Sequence, residues 1–197
     1  TVLVDRTGAG SAFSSVSVDD VAGGRLAAEH LLDIGRRRIS FVGGPVEIMQ
    51  VRDRLQGCRE VVDAHPEASL EFIPTTALTV VEGRRVGLAL REQNRAERPD
   101  AVFAANDLVA LGILQALMMQ GDSSCRVPED IALIGYDDID FSSAAVVPLS
   151  SISQPSSLLG QTAVEILLEE ADDPTLEPRQ VEFQPQLVVR ESTVAAG

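Results

Sequence analysis

The sequence predicts an α/β fold in which a mostly parallel sheet is flanked by helices. Short β-branched runs alternate along the chain with longer segments of helical periodicity. The β-branched runs recur about every 30 residues, which is the length of a strand–helix–strand unit. With 197 residues, of which 45% are hydrophobic, the chain can bury a full core as one large domain or as two small lobes.

Each predicted element follows from its local sequence. Apolar, β-branched runs predict strands at residues 2–5, 38–42, 70–74, 101–105, 131–136 and 181–189. Helical periodicity predicts helices over residues 19–34, 48–64, 79–93, 108–120 and 157–170. The first of these helices has clear end signals, because Asp19 or Asp20 can cap its start and Gly35 can end it.

The charge and the residue composition of the chain argue against several classes of function. The net charge of −14 argues against direct binding of a phosphate backbone by this segment, since such binding depends on cationic contacts. All 16 basic residues are arginine, so P-loop and Schiff-base chemistry, which need a lysine, are not expected. Gly8-Ala9-Gly10 follows the first strand but continues into Phe13 rather than a third glycine, and a plain turn accounts for it better than a dinucleotide site.

No catalytic group stands out, and we expect neither an enzyme nor a bound cofactor or metal. His30 and His65 are predicted to be surface histidines, since neither follows a strand end where a catalytic partner would be needed. Cys58 and Cys125 lie far apart, which predicts neither a disulfide framework nor a zinc site and favours a reducing, cytoplasmic location. No apolar stretch is long enough for a membrane helix.

The loops after the strands are the candidate ligand site, because ligands of such sheets bind beyond the carboxyl ends of the strands. Asn106 and Asp107 stand where an apolar strand meets an apolar helix. Asp107 suits an N-cap, and its carboxylate can also accept two hydrogen bonds from sugar hydroxyls, so both roles stay open. The acidic group of Asp137, Asp138 and Asp140 lacks the spacing of a calcium loop and is predicted to be solvated or capping.

Longer motifs cover essentially the whole chain. They are Val2-Leu-Val-Asp-Arg, Val18-Asp-Asp-Val-Ala-Gly-Gly-Arg-Leu-Ala, Gly35-Arg-Arg-Arg-Ile-Ser-Phe-Val-Gly-Gly-Pro, Arg54-Leu-Gln-Gly, Arg98-Pro-Asp-Ala-Val-Phe-Ala-Ala-Asn-Asp, Val127-Pro-Glu-Asp-Ile-Ala-Leu-Ile-Gly-Tyr-Asp-Asp and Pro148-Leu-Ser-Ser-Ile-Ser-Gln-Pro. Together they resemble the LacI/GalR family of transcriptional repressors. The resemblance implies a two-lobed, periplasmic-binding-protein-like fold of type I, which closes on a small-molecule effector and repositions an amino-terminal helix-turn-helix head that binds operator DNA.

The same resemblance implies a division of the chain. The DNA-binding head and the first half of the amino-terminal lobe are expected to be absent here. Residues 1–18 and 127–154 are then assigned to the partial amino-terminal lobe, and residues 19–126 and 155–197 to the carboxyl-terminal lobe. The helix over 108–120, apolar on more than one face, is either deeply buried or, as in the family, part of a homodimer interface.

The resemblance also implies ligand contacts. Asp107 matches the family's aspartate that takes ligand hydroxyls, with Asn106 beside it, and Arg54 matches its ligand-contacting arginine. Asp5 and Arg6 fall at a strand end that faces the cleft. Leu78 stands where several members stack an aromatic ring, and Ile48 stands where a purine-responsive member carries an arginine, so a carbohydrate is favoured over a purine.

A periplasmic protein that delivers a sugar to a transporter is the alternative function. The coding sequence upstream separates the two hypotheses: a helix-turn-helix indicates the repressor, whereas a signal peptide indicates the transport protein.

Overall fold

A computed structural model describes residues 1–6, 12–118 and 125–194. Its elements in chain order are β1 (Val2–Val4), β2 (Ser14–Val18), α1 (Asp20–Asp33), β3 (Arg38–Gly43), α2 (Met49–Asp63), β4 (Ser69–Pro74), α3 (Val80–Glu92), β5 (Ala101–Ala104), α4 (Asp107–Met118), β6 (Ala132–Asp137), α5 (Asp140–Ser143), β7 (Ser150–Ser153), α6 (Ser156–Asp172), β8 (Gln180–Phe183) and β9 (Gln186–Val188). The chain forms two compact units, a smaller one of Thr1–Asp19 with Gln154–Pro185 and a larger one of Asp20–Ser153 with Gln186–Gly197.

The larger unit is built on a six-stranded sheet with the order β4-β3-β5-β6-β7-β9. All neighbouring pairs are parallel except β7 with β9. Alternate residues of each strand point to opposite faces, so β3 sends Phe41 to the layer of α1 and α2 and Val42 to the layer of α3 and α4. Both faces are therefore covered, which explains why the strands read as continuous apolar runs.

Helices α1 and α2 lie close together because glycines face each other's backbones. A Cβ atom on Gly24 would lie 2.1 Å from the carbonyl oxygen of Arg54, and one on Gly57 would lie 2.0 Å from that of Val21. No side chain fits at either distance, so both positions require glycine. The contact sets the position of Arg54 relative to the start of α1.

The smaller unit contains a parallel three-stranded sheet with the order β1-β2-β8. Helix α6 packs on it through Leu159, Ala163 and Ile166, which form an apolar cluster with Val16 and Val18 of β2. The unit therefore has its own small core.

The structure corrects several sequence-based expectations. The predicted strand over 181–189 is two strands, β8 and β9, which belong to different sheets. Strand β6 pairs with β5, and β7 pairs with β6, so residues 127–153 belong to the larger unit rather than with residues 1–18. Helix α6 and strand β8 instead pack with β1 and β2 in the smaller unit.

Strands β2 and β7 and helix α5 were not predicted. The Gly8-Ala9-Gly10 turn and residues 119–120 of the predicted fourth helix lie outside the described residues.

Helix α4 is apolar on more than one face because it lies between the sheet and α3. Val109, Ile113 and Leu117 are buried within the larger unit, whereas Leu108 and Met118 are exposed. Burial inside the chain therefore explains most of its apolar surface. No helix in the described ranges has the length and apolar character needed to cross a membrane.

His30 is half-buried rather than on the surface, and this position predicts a pH dependence. Its Nε2 shares a hydrogen bond of 2.8 Å with Thr193 Oγ1, and burial lowers the pKa of His30, partly opposed by Asp33. The imidazole therefore binds a proton more readily in the unfolded chain than in the folded one. The contribution of His30 to the free energy of unfolding is complete above the ordinary histidine pKa of about 6.5 and decreases as the pH falls below that value.

We expect urea denaturation to show a lower free energy of unfolding at pH 5.5 than at pH 7.5, and His30→Gln to reduce that difference. His65→Gln, which changes an exposed histidine, is the control and should leave the difference unchanged. An identical pH dependence in wild type and His30→Gln would contradict the prediction.

Candidate functional site

The candidate site lies at the carboxyl edge of the larger sheet. Strands β3, β5 and β6 run parallel as neighbours, so their carboxyl ends and the loops that follow lie at one edge. Arg54 from α2 reaches this edge, where Asn106 and Asp107 follow β5 and Asp137 ends β6. Sequence reasoning had placed Arg54, Asn106 and Asp107 here but had not included Asp137.

The side chain of Arg54 is held on several sides and only 5% exposed. Its Nε donates a hydrogen bond of 2.8 Å to Asp20 Oδ1, and its Nη1 donates one of 2.8 Å to the carbonyl oxygen of Ala105. The guanidinium lies 3.5 Å from the ring centroid of Tyr136, a cation–π contact. Asp137 Oδ1 lies 3.7 Å from Nη1. These contacts fix a cation at the end of two strands.

The charges around Arg54 compensate the cost of burying it. Burial by itself would lower the pKa of Arg54, but the carboxylates of Asp20 and Asp137 outweigh it, so the pKa is raised. Burial has the opposite effect on Tyr136, whose ring is fully buried under the guanidinium, and raises the pKa of its hydroxyl. Arg54 therefore stays charged at every physiological pH.

Asp107 is fully buried, and its carboxylate accepts hydrogen bonds from other residues of the chain. Oδ1 accepts a hydrogen bond of 2.7 Å from Ser151 Oγ, and Oδ2 accepts bonds of 2.6 Å from Ser142 Oγ and 2.9 Å from the Ile139 amide. Burial raises the pKa of Asp107, and these three bonds partly offset that effect. The hydroxyls bound by Asp107 are thus those of two serines, and the carboxylate ties the loop after β6 to β7.

Asn106, and not Asp107, caps helix α4. The amide of Val109 donates a hydrogen bond of 3.0 Å to Asn106 Oδ1, which is the geometry of an N-cap side chain with the third residue of its helix. Asn106 Nδ2 makes a longer contact of 3.4 Å to the carbonyl oxygen of Leu78. The half-buried Leu78 packs against the apolar clusters on both faces of the sheet.

Asp137 was predicted from the sequence to belong to a solvated or capping acidic group and was not named as a site residue. Its side chain is 33% exposed, and its backbone has a φ of 101°, in the left-handed region that non-glycine residues rarely adopt. The next residue, Asp138, also has a positive φ of 51°, and its side chain lies 2.7 Å from Arg190 Nη1. The signal in the sequence was its place at the end of a buried strand, which is the same signal that had pointed to Asn106.

Asp5 and Arg6 belong to the smaller unit, where they follow β1 and are both exposed. Asp5 has a φ of 57°, and its amide donates a hydrogen bond of 2.9 Å to the carbonyl oxygen of Val16. The cluster around Arg54 is formed entirely by the larger unit. Within the described part of the chain, no group of three histidine, cysteine, aspartate or glutamate side chains is placed to hold a metal ion.

A mostly parallel sheet covered by helices on both faces, with a buried polar cluster at its carboxyl edge, is the arrangement in which α/β domains bind ligands. Comparison with known families agrees: the model of the periplasmic binding protein-like domain matches residues 28–193. The chain belongs to this family, and its relatives include regulators of the LacI type.

The HTH-type transcriptional regulator CelR of Thermobifida fusca is 36% identical over 91% of this chain and 52% of its own length. The ribose operon repressor of Escherichia coli K12 is 34% identical over 98% of this chain and 57% of its own length. A LacI family transcriptional regulator from Enterococcus faecium, solved with bound ribose, superposes with a TM-score of 0.85 at 29% identity, covering 100% of this chain and 71% of that one. The chain thus spans about half the length of the curated relatives it matches.

Proposed function

We propose that this chain is the effector-binding part of a LacI-type transcriptional repressor and that its effector is a carbohydrate. The observation that carries the proposal is the fixed pair of Arg54 and Asp137 at the carboxyl edge of the sheet. The names of the relatives, a ribose operon repressor among them, favour a regulator over a transport protein. A ribose-bound structural neighbour favours a sugar.

The chemistry of the pair suits neighbouring hydroxyls. A guanidinium carries five N–H donors, and the contacts to Asp20 and Ala105 use Nε and Nη1 of Arg54. We assign the Nη2 donors to oxygen atoms of the sugar. The partly exposed carboxylate of Asp137 can accept hydrogen bonds from two adjacent hydroxyls, as a buried Asp107 cannot.

Asn106 and Leu78 extend the proposed site. Asn106 would donate from the Nδ2 atom that contacts Leu78 only at 3.4 Å. Leu78 would supply an apolar contact without aromatic stacking. We assign Asp107 an indirect role, in which it holds the loop that carries Asp137.

Partners and location are proposed on the same basis. Operator DNA would be bound outside this segment, because a net charge of −14 disfavours contact with phosphates. A homodimer is proposed from the family resemblance, and Leu108 and Met118 of α4 are exposed apolar candidates for its interface. A binding rather than catalytic role, and a cytoplasmic location with Cys58 and Cys125 as free thiols, fit the same proposal.

Titration calorimetry with ribose, followed by a panel of other mono- and disaccharides, tests the proposed site. For whichever sugar binds the wild type, we expect Asp137→Asn to weaken the affinity by about 10- to 150-fold. The reason is that a hydrogen bond to a charged group is worth about 1.5–3 kcal/mol. Asp140→Asn removes an exposed carboxylate of the next turn and should leave the affinity within two-fold, roughly the ±0.5 kcal/mol expected of a surface change.

Two results would count against the proposal. Equal affinities of wild type and Asp137→Asn would remove Asp137 from the site. A signal peptide instead of a helix-turn-helix in the upstream coding sequence would favour the transport protein.

A further inference from the structure

The backbone leaves the larger sheet in an unfavourable conformation directly after β6, at the carboxylate beside Arg54. Strand β6 pairs with β7 as far as Asp137, whose partner in the register is Ser153. Asp137 and Asp138 then follow each other with positive φ values of 101° and 51°. Positive φ is costly for residues with a side chain, because the Cβ atom is crowded against the backbone. Contacts with the rest of the fold must therefore stabilise this turn.

The hydroxyl of Ser151 makes such a contact with the peptide group between the two aspartates. The amide of Asp138 donates a hydrogen bond of 3.1 Å to Ser151 Oγ. Ser151 is fully buried on β7, two residues before the partner of Asp137. The Asp138 amide belongs to the peptide group that follows the Cα atom of Asp137, so this bond fixes the direction in which the chain leaves Asp137.

The orientation of the Ser151 hydroxyl is set by Asp107. Ser151 Oγ donates its single proton to Asp107 Oδ1 at 2.7 Å, because a carboxylate only accepts hydrogen bonds. The lone pairs of Oγ are then available to the Asp138 amide, and donation to a charged group makes a hydroxyl a better acceptor. One serine side chain thus connects the buried carboxylate of Asp107 to the turn after β6.

Ser142 has only one of these two bonds. Its side chain is also fully buried, and its Oγ donates to the other oxygen of Asp107, Oδ2, at 2.6 Å. Among the described residues, the amides that follow Asp137 donate to Ser151 Oγ and to Asp107 Oδ2, and neither donates to Ser142 Oγ. The two serines therefore differ in their contact with the turn and not in their contact with the carboxylate.

We propose that Ser151 is a positioning residue of the effector site, whose hydroxyl sets the direction of the Asp137 carboxylate toward Arg54 and the sugar. Ser151 has this role only if Asp137 binds the sugar hydroxyls, so the inference rests on the proposed function. Arg54 is fixed by its bonds to Asp20 and Ala105. A change of the backbone dihedral angles at Asp137 therefore alters the distance between the two charged groups, which is 3.7 Å in the structure.

Titration calorimetry on two matched variants tests this inference, with ribose or with the sugar of the panel that binds the wild type most tightly. Ser151→Ala should weaken binding by about 3- to 10-fold, the equivalent of one net hydrogen bond. Ser142→Ala should leave the affinity within about two-fold. Both variants remove one donor from Asp107, so a shared loss of stability does not explain a difference in affinity.

A double mutant tests whether Ser151 acts through Asp137. In the Asp137→Asn background, Ser151→Ala should change the affinity by less than about two-fold, because the carboxylate that it positions is already lost. Additive effects of the two changes would overturn the inference. Equal losses of affinity in Ser151→Ala and Ser142→Ala would also overturn it.

Amide hydrogen exchange gives a measurement that needs no sugar. Ser151→Ala should speed the exchange of the Asp138 amide, and Ser142→Ala should not. The Ile139 amide keeps its acceptor, Asp107 Oδ2, in both variants and is the internal reference. Unchanged exchange at Asp138 in Ser151→Ala would refute the positioning role.

The failure of this inference differs from the failure of the proposed function. Unchanged affinity in Ser151→Ala, with Asp137→Asn still weakened, would refute the positioning role alone. Equal affinities of Asp137→Asn and wild type would refute the proposed sugar site and, with it, the role of Ser151.

Discussion

Replacing Arg54 with methionine is expected to lower the free energy of unfolding by about 3–5 kcal/mol. The change keeps a long apolar stem but leaves the buried carboxylate of Asp20 without the cation 2.8 Å away, and removing one partner of a buried ion pair costs about this much. It also removes the cation–π contact with Tyr136. Urea denaturation followed by circular dichroism measures the loss.

Arg52→Met is the matched control, because Arg52 lies on the same helix, is exposed and, among the described residues, forms an ion pair with the adjacent Asp53 at 3.4 Å. It should change stability by less than about 0.5 kcal/mol. Adding Asp20→Asn to Arg54→Met should cost less than the sum of the two single changes, since both remove the same interaction. Strict additivity would show that Asp20 and Arg54 do not act as a pair.

Replacing Asp107 with alanine is expected to lower the free energy of unfolding by at least about 3 kcal/mol. The change leaves the hydroxyls of Ser142 and Ser151 and the amide of Ile139 without their acceptor inside the protein, and each buried unsatisfied group costs about 1–3 kcal/mol. The same urea denaturation experiment measures the effect.

The serines provide the comparison for Asp107. Ser142→Ala and Ser151→Ala each remove one donor and should cost less than Asp107→Ala, at about 1 kcal/mol, the usual net value of one hydrogen bond. If Asp107→Ala kept full stability and lost only sugar binding, Asp107 would be a direct ligand contact, as its sequence position had suggested. A loss of stability with retained sugar binding would support its structural role.

The elements of the larger sheet could be predicted because their sequences carry strong local signals. The run at 101–104 is wholly apolar, and Gly35, with a φ of 86°, ends α1 as a glycine in that conformation should. Strands β2 and β7 escaped prediction because both are rich in serine, and the buried hydroxyls of Ser14, Ser150 and Ser151 are hydrogen-bonded in the folded chain. Serine gives no apolar signal, so only the pairing with neighbouring strands identifies these segments as strands.

The candidate site was predicted in part. The order of strands and loops was enough to place Asn106 at the carboxyl edge, because parallel strands gather their following loops there, whereas Arg54 was implied only by the family resemblance. The choice between Asp107 and Asp137 could not be made in the same way. Both aspartates follow a buried strand, and only their surroundings separate a fully buried carboxylate from one that is 33% exposed.

The sequence by itself therefore determined the α/β class, most of the helices and the edge of the sheet where polar residues collect, since these depend on periodicity and chain order. The tertiary structure decided which segments share a sheet and which carboxylate meets Arg54. Strand pairing and burial join residues far apart in the chain, such as Asp107 with Ser151 and Arg54 with Asp20, and such contacts leave no local pattern in the sequence.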